Sequence, residues 1–510
     1  MSSPSIKISS LQEKTVLESH SAESGETEVP EDNRRARKYW KQMAESNWVE
    51  LRGIQRVTPE EQQLHGRPNY MQMVLLWFSA NLTANNIALG FLGPIAYGLS
   101  FTDAALCCVF GTMLGCAGTG IMSTWGPTSG LRTMIFARYT MGWWPSRICV
   151  LLNIVIMLGY GMIDSVVGGQ ILSAVADNNL SVVCGIIITA VITWVVTVLG
   201  LPIFHIYERY AWAPQLAVVF ILVGVAGANF DTSYSSSGNR ETINANRLSF
   251  LALCMSASVA WSPVGGDYYV YYPAKTSMVL TFLLTWLGET LSTAFVYLVG
   301  CGLGSGTYSN PTWAANYDIS SGSLLVGAFE PLGRFGKFCG VILALGVIAN
   351  NVPGTYSAAL GFQCLGSWPA RVPRFAWNTF GVIIYTICAA VGRNHLYDIF
   401  EDFLALMGYW VTIWITLTLE DTLLFRRGWT NFEWDDWNTQ SKLPVGLAAL
   451  ASFCIGWVGS VLCMDQVYFI GPLSRKIGDY GADLGIFAGV GFAGIAYPIL
   501  RVLELRVLKR

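Results

Sequence analysis

Amides, aromatic rings and helix breakers recur together inside stretches that are otherwise apolar. Asn85 and Asn86 follow Trp77, Ser79, Asn81 and Thr83 and lead to Gly90, Gly93 and Pro94. A second stretch is interrupted by Ser256, Ser258, Trp261, Ser262, Pro263, Gly265, Gly266 and Asp267, and a third by Asn350, Asn351, Pro353, Gly354, Thr355 and Ser357. Side-chain amides offer two donors and two acceptors, the complement of a nitrogen heterocycle's edge, and an aromatic face offers a surface on which a flat ring stacks. Asn350 and Gly354, four residues apart, face the same way, as do Tyr160 and Asp164. A carboxyl such as Asp164 at membrane depth costs about 2.5–3.5 kcal/mol. It needs a reason: a substrate or proton site, a structural ion pair, or a carboxyl that is simply kept protonated. Glu289 is a weaker proton-coupling candidate that an internal pairing would also explain.

The elements that must position these residues are membrane helices. Of 510 residues, 53% are hydrophobic and 13% charged, with mean hydropathy +0.45, against roughly 25% charged in soluble chains. About 20 apolar residues cross the hydrocarbon core, and twelve stretches qualify. They cover about 71–99, 103–123, 148–174, 181–200, 212–229, 248–270, 278–303, 338–363, 376–391, 398–424, 444–463 and 483–503. The expected organisation is a Ser- and Glu-rich, largely disordered tail over 1–70, a transporter domain over 71–503 and a short C-terminus over 504–510. The tail has no apolar core of the kind a cleaved signal peptide requires. Twelve spans with short loops leave no room for a soluble catalytic domain, so the chain is not expected to be an enzyme.

If the chain folds as two five-helix halves followed by two extra helices, spans 1 and 6 occupy equivalent positions, and both carry breaks. Interrupted helices at corresponding places of two halves point to an inverted-repeat carrier with its site at the bilayer midplane. The competing reading is that Gly and Pro are common in membrane helices and small residues let helices pack closely. That packing reading is the one taken for Gly111 and Gly115 in span 2 and for Gly485 and Gly489 in span 12.

Other chemistries are excluded or weak. The formal net charge of −2 gives no basic field for nucleic acid. The 12 cysteines lie mostly within apolar runs and lack metal-ligand spacing, so they read as lipid-facing or core thiols. Gly489, Gly491 and Gly494 match a dinucleotide fingerprint but sit inside a span with no preceding strand. The four histidines (20, 65, 205 and 395) are isolated, and neither a cofactor nor a metal is expected. Asn179-Leu-Ser181 is a formal glycosylation sequon too near the membrane to be an evident acceptor.

Taken together, the residues resemble the nucleobase:cation symporter family in its fungal purine-cytosine permease branch. The likeness runs through Leu51-Arg-Gly-Ile-Gln-Arg56, Pro59-Glu-Glu, Trp125-Gly-Pro-Thr-Ser-Gly-Leu-Arg132, Ala137-Arg-Tyr139 and Met141-Gly142. It continues in Val166-Val-Gly-Gly-Gln170, His205-Ile-Tyr-Glu-Arg-Tyr210, Trp261 with Asp267-Tyr268, Asn350-Asn-Val-Pro353 with Tyr356-Ser357, Phe403-Leu-Ala-Leu-Met-Gly-Tyr-Trp410, Glu420 and Phe425-Arg426. The resemblance implies an all-α integral membrane carrier of the five-plus-five inverted-repeat fold with two extra C-terminal helices. It also implies uptake of cytosine, adenine, guanine or hypoxanthine with protons across the plasma membrane. Carried onto this chain, the substrate site would draw on Asn85 or Asn86, Tyr160 or its neighbour Gly161, Asp164, Trp261, Asn350, Pro353 and Gly354. Three positions depart from the family: relatives usually carry Trp at the aromatic position of span 3, and Asn at the positions of Asp164 and Gly354. These departures leave room for another small nitrogen ring, such as a vitamin B6 vitamer. A non-transporting nutrient sensor on the same scaffold is the other alternative, disfavoured by a tail of only about 70 residues.

Orientation follows from the positive-inside rule. With the N-terminus cytoplasmic, 24 Lys and Arg fall on the cytoplasmic side and 7 on the other, which places both termini in the cytoplasm. A cysteine engineered at Thr430 should therefore resist labelling by an impermeant thiol reagent in intact cells and react after permeabilisation. Labelling from outside would overturn the twelve-span topology.

Overall fold

The computed structural model describes residues 53–64, 69–199 and 201–508; most of the expected tail, His20, His65 and the last two residues lie outside them. Among the described residues, nine helices are long and apolar enough to cross a membrane, and a bent pair makes a tenth. Two further apolar helices, Val182–Leu199 and Leu447–Cys463, complete the twelve. Span 1 is the bent pair, Tyr70–Asn81 and Ala84–Ile95, which meet at 58°. Spans 2 to 6 are Phe101–Ser123, Ser146–Val175, Val182–Leu199, Leu201–Ala226 and Arg240–Val259. Spans 7 to 10 are Met278–Gly306, Arg334–Cys364, Arg374–Gly392 and Leu396–Phe425, and spans 11 and 12 are Leu447–Cys463 and Gly485–Leu508. The architecture is all-α with helices of membrane-spanning length, its only described sheet a two-stranded hairpin pairing Asp465–Gln466 with Phe469–Ile470.

The helix ends depart most from the sequence expectation at spans 5 and 6, and the span 5 helix begins at Leu201, eleven residues early. The helix of span 6 begins at Arg240, eight residues early, because Asn239 caps it by accepting from Thr242 N at 2.9 Å. It also stops at Val259; a single 3-10 turn, Ser262–Val264, and irregular backbone follow. Pro263 supplies no donor there, and Gly265 and Gly266 follow it. The long connection between spans 7 and 8 folds into two short helices, Pro311–Ile319 and Ser321–Gly327.

Spans 1, 2, 6 and 7 pack together as one bundle, spans 3, 4, 8 and 9 as a second body, and spans 11 and 12 pair with each other beside span 10. Large apolar side chains such as Leu106, Phe110, Ile187, Ile383 and Ile499 point outward, as a lipid-facing surface requires. Glycine sets how closely the bundle closes. A Cβ on Gly300 in span 7 would lie 2.1 Å from the Ile87 carbonyl oxygen, and one on Gly90 would lie 2.4 Å from that of Tyr297. In the same way Gly111 and Gly115 bring span 2 against the span 6 backbone at Leu251 and Met255. Gly489 sits against Ser460 of span 11, and Gly485 against the ring of Tyr409.

Alternate loops segregate to opposite ends. At one end, Arg56 Nε donates to Ser129 O at 2.9 Å, and Gln62 Nε2 donates to Pro127 O and Val270 O, each at 2.9 Å. At the other, Ser237 N donates to Gly98 O, Arg247 pairs with Asp103 at 2.8 Å, and Tyr308 OH donates to Pro94 O at 2.7 Å. Gly300→Ala should lower the stability of the purified protein by about 1–3 kcal/mol, since the helices cannot part without opening the core. Gly491→Ala, which would meet nothing within 4 Å, should be neutral in the same thermal melt; equal melting temperatures would refute the close-packing account.

Candidate substrate site

The break in span 1 frees backbone groups that helix geometry would otherwise use, and side chains take them up. Asn350 Nδ2, from span 8, donates to Ala80 O at 2.6 Å. Asn86 Nδ2 donates to Asn81 O at 2.8 Å, while Thr83 Oγ1 donates to Asn85 Oδ1. The amides of Asn85 and Asn86 are thus engaged at the break itself. Asn81, quoted in the span 1 pattern but not singled out as a site residue, instead reaches span 6: its Oδ1 accepts from Trp261 Nε1 at 3.1 Å.

Trp261 stands just beyond the end of the span 6 helix, where irregular backbone lets its ring turn toward span 3. It lies nearly parallel to Tyr160, with 16° between planes and 5.9 Å between centroids. Tyr160 OH donates to the Ala257 carbonyl at 2.7 Å, which fixes that ring's direction. Trp77 packs edge-on against both Trp261 and Tyr268, at 5.8 and 5.6 Å. Tyr268 OH is 3.2 Å from both the Pro353 carbonyl oxygen, to which it donates, and Ser357 Oγ. The result is a buried aromatic enclosure formed by spans 1, 3, 6 and 8. Trp77 and Tyr268 belong to it although neither was a sequence candidate. The signal for Trp77 was its four-residue spacing from Asn81, which puts both on one helix face.

Several buried polar atoms near this enclosure have no hydrogen-bond partner: Asn350 Oδ1 and both Asp164 oxygens. Buried polar groups are normally paired, so such a cluster suits a ligand or water. Gly161 faces away from Trp261, since a Cβ there would meet the Tyr385 ring at 2.7 Å. Asp164 lies about 40° around the helix from Tyr160 and within electrostatic reach of both Tyr160 and Tyr385. A side chain at Gly354 would find only Met157, at 3.7 Å, so that position is open. Glu289 is not in the enclosure; it lies behind the span 6 break, near Thr119.

Below the enclosure, a second set of contacts joins the two bodies. Arg132 Nη1 donates to the Asp267 carbonyl at 2.7 Å and Nη2 to Tyr356 OH at 3.2 Å. Arg374 sits 4.4 Å from the Tyr356 ring centroid, a cation–π contact in a buried setting. Thr133 N donates to Asp267 Oδ1 at 2.7 Å.

A family profile described as permease for cytosine/purines, uracil, thiamine and allantoin matches residues 59–440. The chain is 32% identical over 514 residues to the vitamin B6 transporter TPN1 of Saccharomyces cerevisiae, covering 91% of this chain and 88% of that one. It is 33% identical over 467 residues to the purine-cytosine permease fcyB of Emericella nidulans, covering 91% and 90%. In three dimensions it resembles Mhp1, a nucleobase-cation-symport-1 family transporter, in a closed conformation with bromovinylhydantoin bound. The TM-score is 0.64 at 15% identity, covering 86% of this chain and 92% of that one. The inward-facing conformation of Mhp1 matches with a TM-score of 0.65 at 13% identity, covering 86% and 91%. At these identities the likeness concerns the fold, the broken-helix inverted repeat described above.

Proposed function

The chain belongs to the family of permeases for cytosine/purines, uracil, thiamine and allantoin, and from that membership we propose that it carries a flat nitrogen heterocycle inward with protons. The first substrates to consider are the nucleobases cytosine, adenine, guanine and hypoxanthine. The proposed setting is the plasma membrane, with both termini cytoplasmic. The observation that carries this reading is the Trp261–Tyr160 pair standing at the span 6 break beside the unpartnered Asn350 Oδ1. A bound ring stacks on Trp261, and its edge hydrogen-bonds to Asn350 and the amides near the span 1 break. Substrate therefore touches both bodies, and the Asn350–Ala80, Tyr268–Pro353 and Arg132–Tyr356 contacts between them remake as the site opens to one side and then the other.

A second reading within the same class rests on Asp164 and Gly354. A carboxyl where the family resemblance implies an amide favours a protonated ring nitrogen, an amino group or a hydroxyl, and the open space at Gly354 admits a substituent on the ring. Substituted pyridines of the vitamin B6 type have both features, and the 32% identity to a vitamin B6 transporter over most of both chains supports keeping them in view.

Uptake in a yeast strain lacking its own permeases, with labelled cytosine, adenine and pyridoxine each competed by the others, tests the reading directly. Trp261→Leu should raise KM about 5- to 150-fold, the equivalent of a stacking loss of about 1–3 kcal/mol. Trp261→Phe should do so less, and Asn350→Ala should abolish uptake without loss of surface protein. Retained high-affinity uptake by Trp261→Leu would remove Trp261 from the site. Asp164→Asn combined with Gly354→Asn should move competition toward cytosine and purines. If the order of competitors is unchanged at equal surface protein, neither position selects substrate.

A further inference from the structure

Buried carboxyls in the helical body of this chain fall into two kinds. Asp267, Asp421 and Glu504 are held by arginines or backbone N–H groups. Thr133 N donates to Asp267, Arg426 Nε donates to Asp421 at 2.7 Å, and Arg501 Nη1 donates to Glu504 at 2.7 Å. Glu289, like Asp164 in the other body, has no such support. It is fully buried in span 7, its Oε2 has no hydrogen-bond partner, and it joins no salt bridge among the described residues. Its Oε1 lies 3.4 Å from Thr119 Oγ1 of span 2, and Thr119 Oγ1 lies 3.4 Å from Ser262 Oγ of the span 6 break.

The groups facing Glu289 carry no positive charge. Span 2 presents Cys116 and Thr119, Ser262 of the span 6 break stands behind Thr119, and span 1 packs against the adjacent Gly288 through Val74. The ionisable groups that sense its charge are Cys116, Tyr160 and Tyr269, none of them a cation. An ionised Glu289 would therefore stand uncompensated in the bilayer core. A hydroxyl that supports a carboxylate is normally drawn to about 2.5–2.7 Å, so the 3.4 Å contact with Thr119 gives a charged Glu289 little support. Ser262 follows Trp261 directly in the chain, and its turn adjoins the stacking surface.

We propose that Glu289 is the proton-binding site of this carrier and that Thr119 and Ser262 relay its state to Trp261. The inference rests on the symport reading above and deepens it. With the proton bound, the carboxyl asks little of its neighbours and the Ser262–Val264 turn keeps its present course. Without the proton, the carboxylate draws the Thr119 and Ser262 hydroxyls toward itself, and the pull falls on the turn that places Trp261. Substrate stacking and proton occupancy thereby become linked through one short segment. Asp164, in the other body and turned toward Tyr160 and Tyr385, belongs to substrate selection.

The test separates coupling from binding. In the permease-deficient strain, with labelled adenine, cytosine or pyridoxine as the probe, Glu289→Gln should still exchange internal for external label. It should no longer concentrate label above the external level, and its uptake should lose its dependence on external pH between 4 and 8. Gly491→Ala, remote from both the enclosure and Glu289 and meeting nothing within 4 Å, should still concentrate label. Thr119→Val keeps the carboxyl and the side-chain volume and should shift the pH at which uptake is half-maximal. Concentrative, pH-dependent uptake by Glu289→Gln at wild-type levels would overturn the proposal. If Glu289→Gln does not reach the surface, an unshifted pH profile in Thr119→Val overturns it instead. A wild-type chain that moves none of the three probes would count against the symport reading itself, an outcome distinct from either.

Discussion

In hydrocarbon no water is available to complete an unpaired peptide group, so a helix that breaks in a membrane must find protein partners for every carbonyl and amide it releases. This chain breaks two neighbouring helices, finds side-chain partners for the carbonyls released in span 1, and ties the two breaks together by one side-chain bond. The Ala80 carbonyl takes Asn350 Nδ2, the Asn81 carbonyl takes Asn86 Nδ2, and the Asn81 side chain takes the Trp261 indole N–H. Remove any of these and a buried polar group is orphaned, at a cost of about 1–3 kcal/mol. The breaks are therefore held by a small hydrogen-bonded set drawn from spans 1, 6 and 8, and the aromatic enclosure takes its shape from that set.

The same economy explains where the unsatisfied atoms lie. Asn350 spends its amide nitrogen on the backbone and keeps its oxygen free. Asn351 instead turns into the second body, accepting from Thr355 and bonding with Tyr385. The carboxyl of Asp164 adds a second polar position without a partner, and the absent side chain at Gly354 leaves space.

Much of this was legible in the sequence because bilayer thickness fixes the length of an apolar run, and because Asn, Gly and Pro clusters interrupt such runs visibly. The paired breaks of spans 1 and 6 and the Trp261 and Asn350 positions could be read that way. The direction of each side chain could not. Asn85 and Asn86 looked like the ligand-facing amides of span 1, yet Asn81, one turn earlier, is the residue that reaches Trp261, because the helix ends there and turns its last side chain across the gap. Tyr160 and Gly161 were alternatives until packing separated them: Tyr385 fills the space beside Gly161 and leaves Tyr160 to face span 6. The early start of span 6 depended on a cap formed by Asn239, and the helices between spans 7 and 8 are too short for periodicity to reveal.

The distribution of close contacts bears on how such a molecule can move. Within the bundle, Gly90 and Gly300 bring spans 1 and 7 into backbone contact, and Gly111 and Gly115 do the same for spans 2 and 6. Within the second body, Gly169 and Gly185 meet across spans 3 and 4, where a Cβ on Gly185 would come within 2.7 Å of the Gly169 carbonyl oxygen. Such backbone contacts have no slack, and packed interiors pass between discrete arrangements rather than stretching. The two bodies meet differently, through side-chain bonds from Asn350, Tyr160, Tyr268 and Arg132. Each such bond is worth on the order of 1 kcal/mol net and can be exchanged for another at little cost. Motion is therefore easiest along the surface where the aromatic enclosure lies, and a ring bound there, as proposed, would touch both moving parts at once.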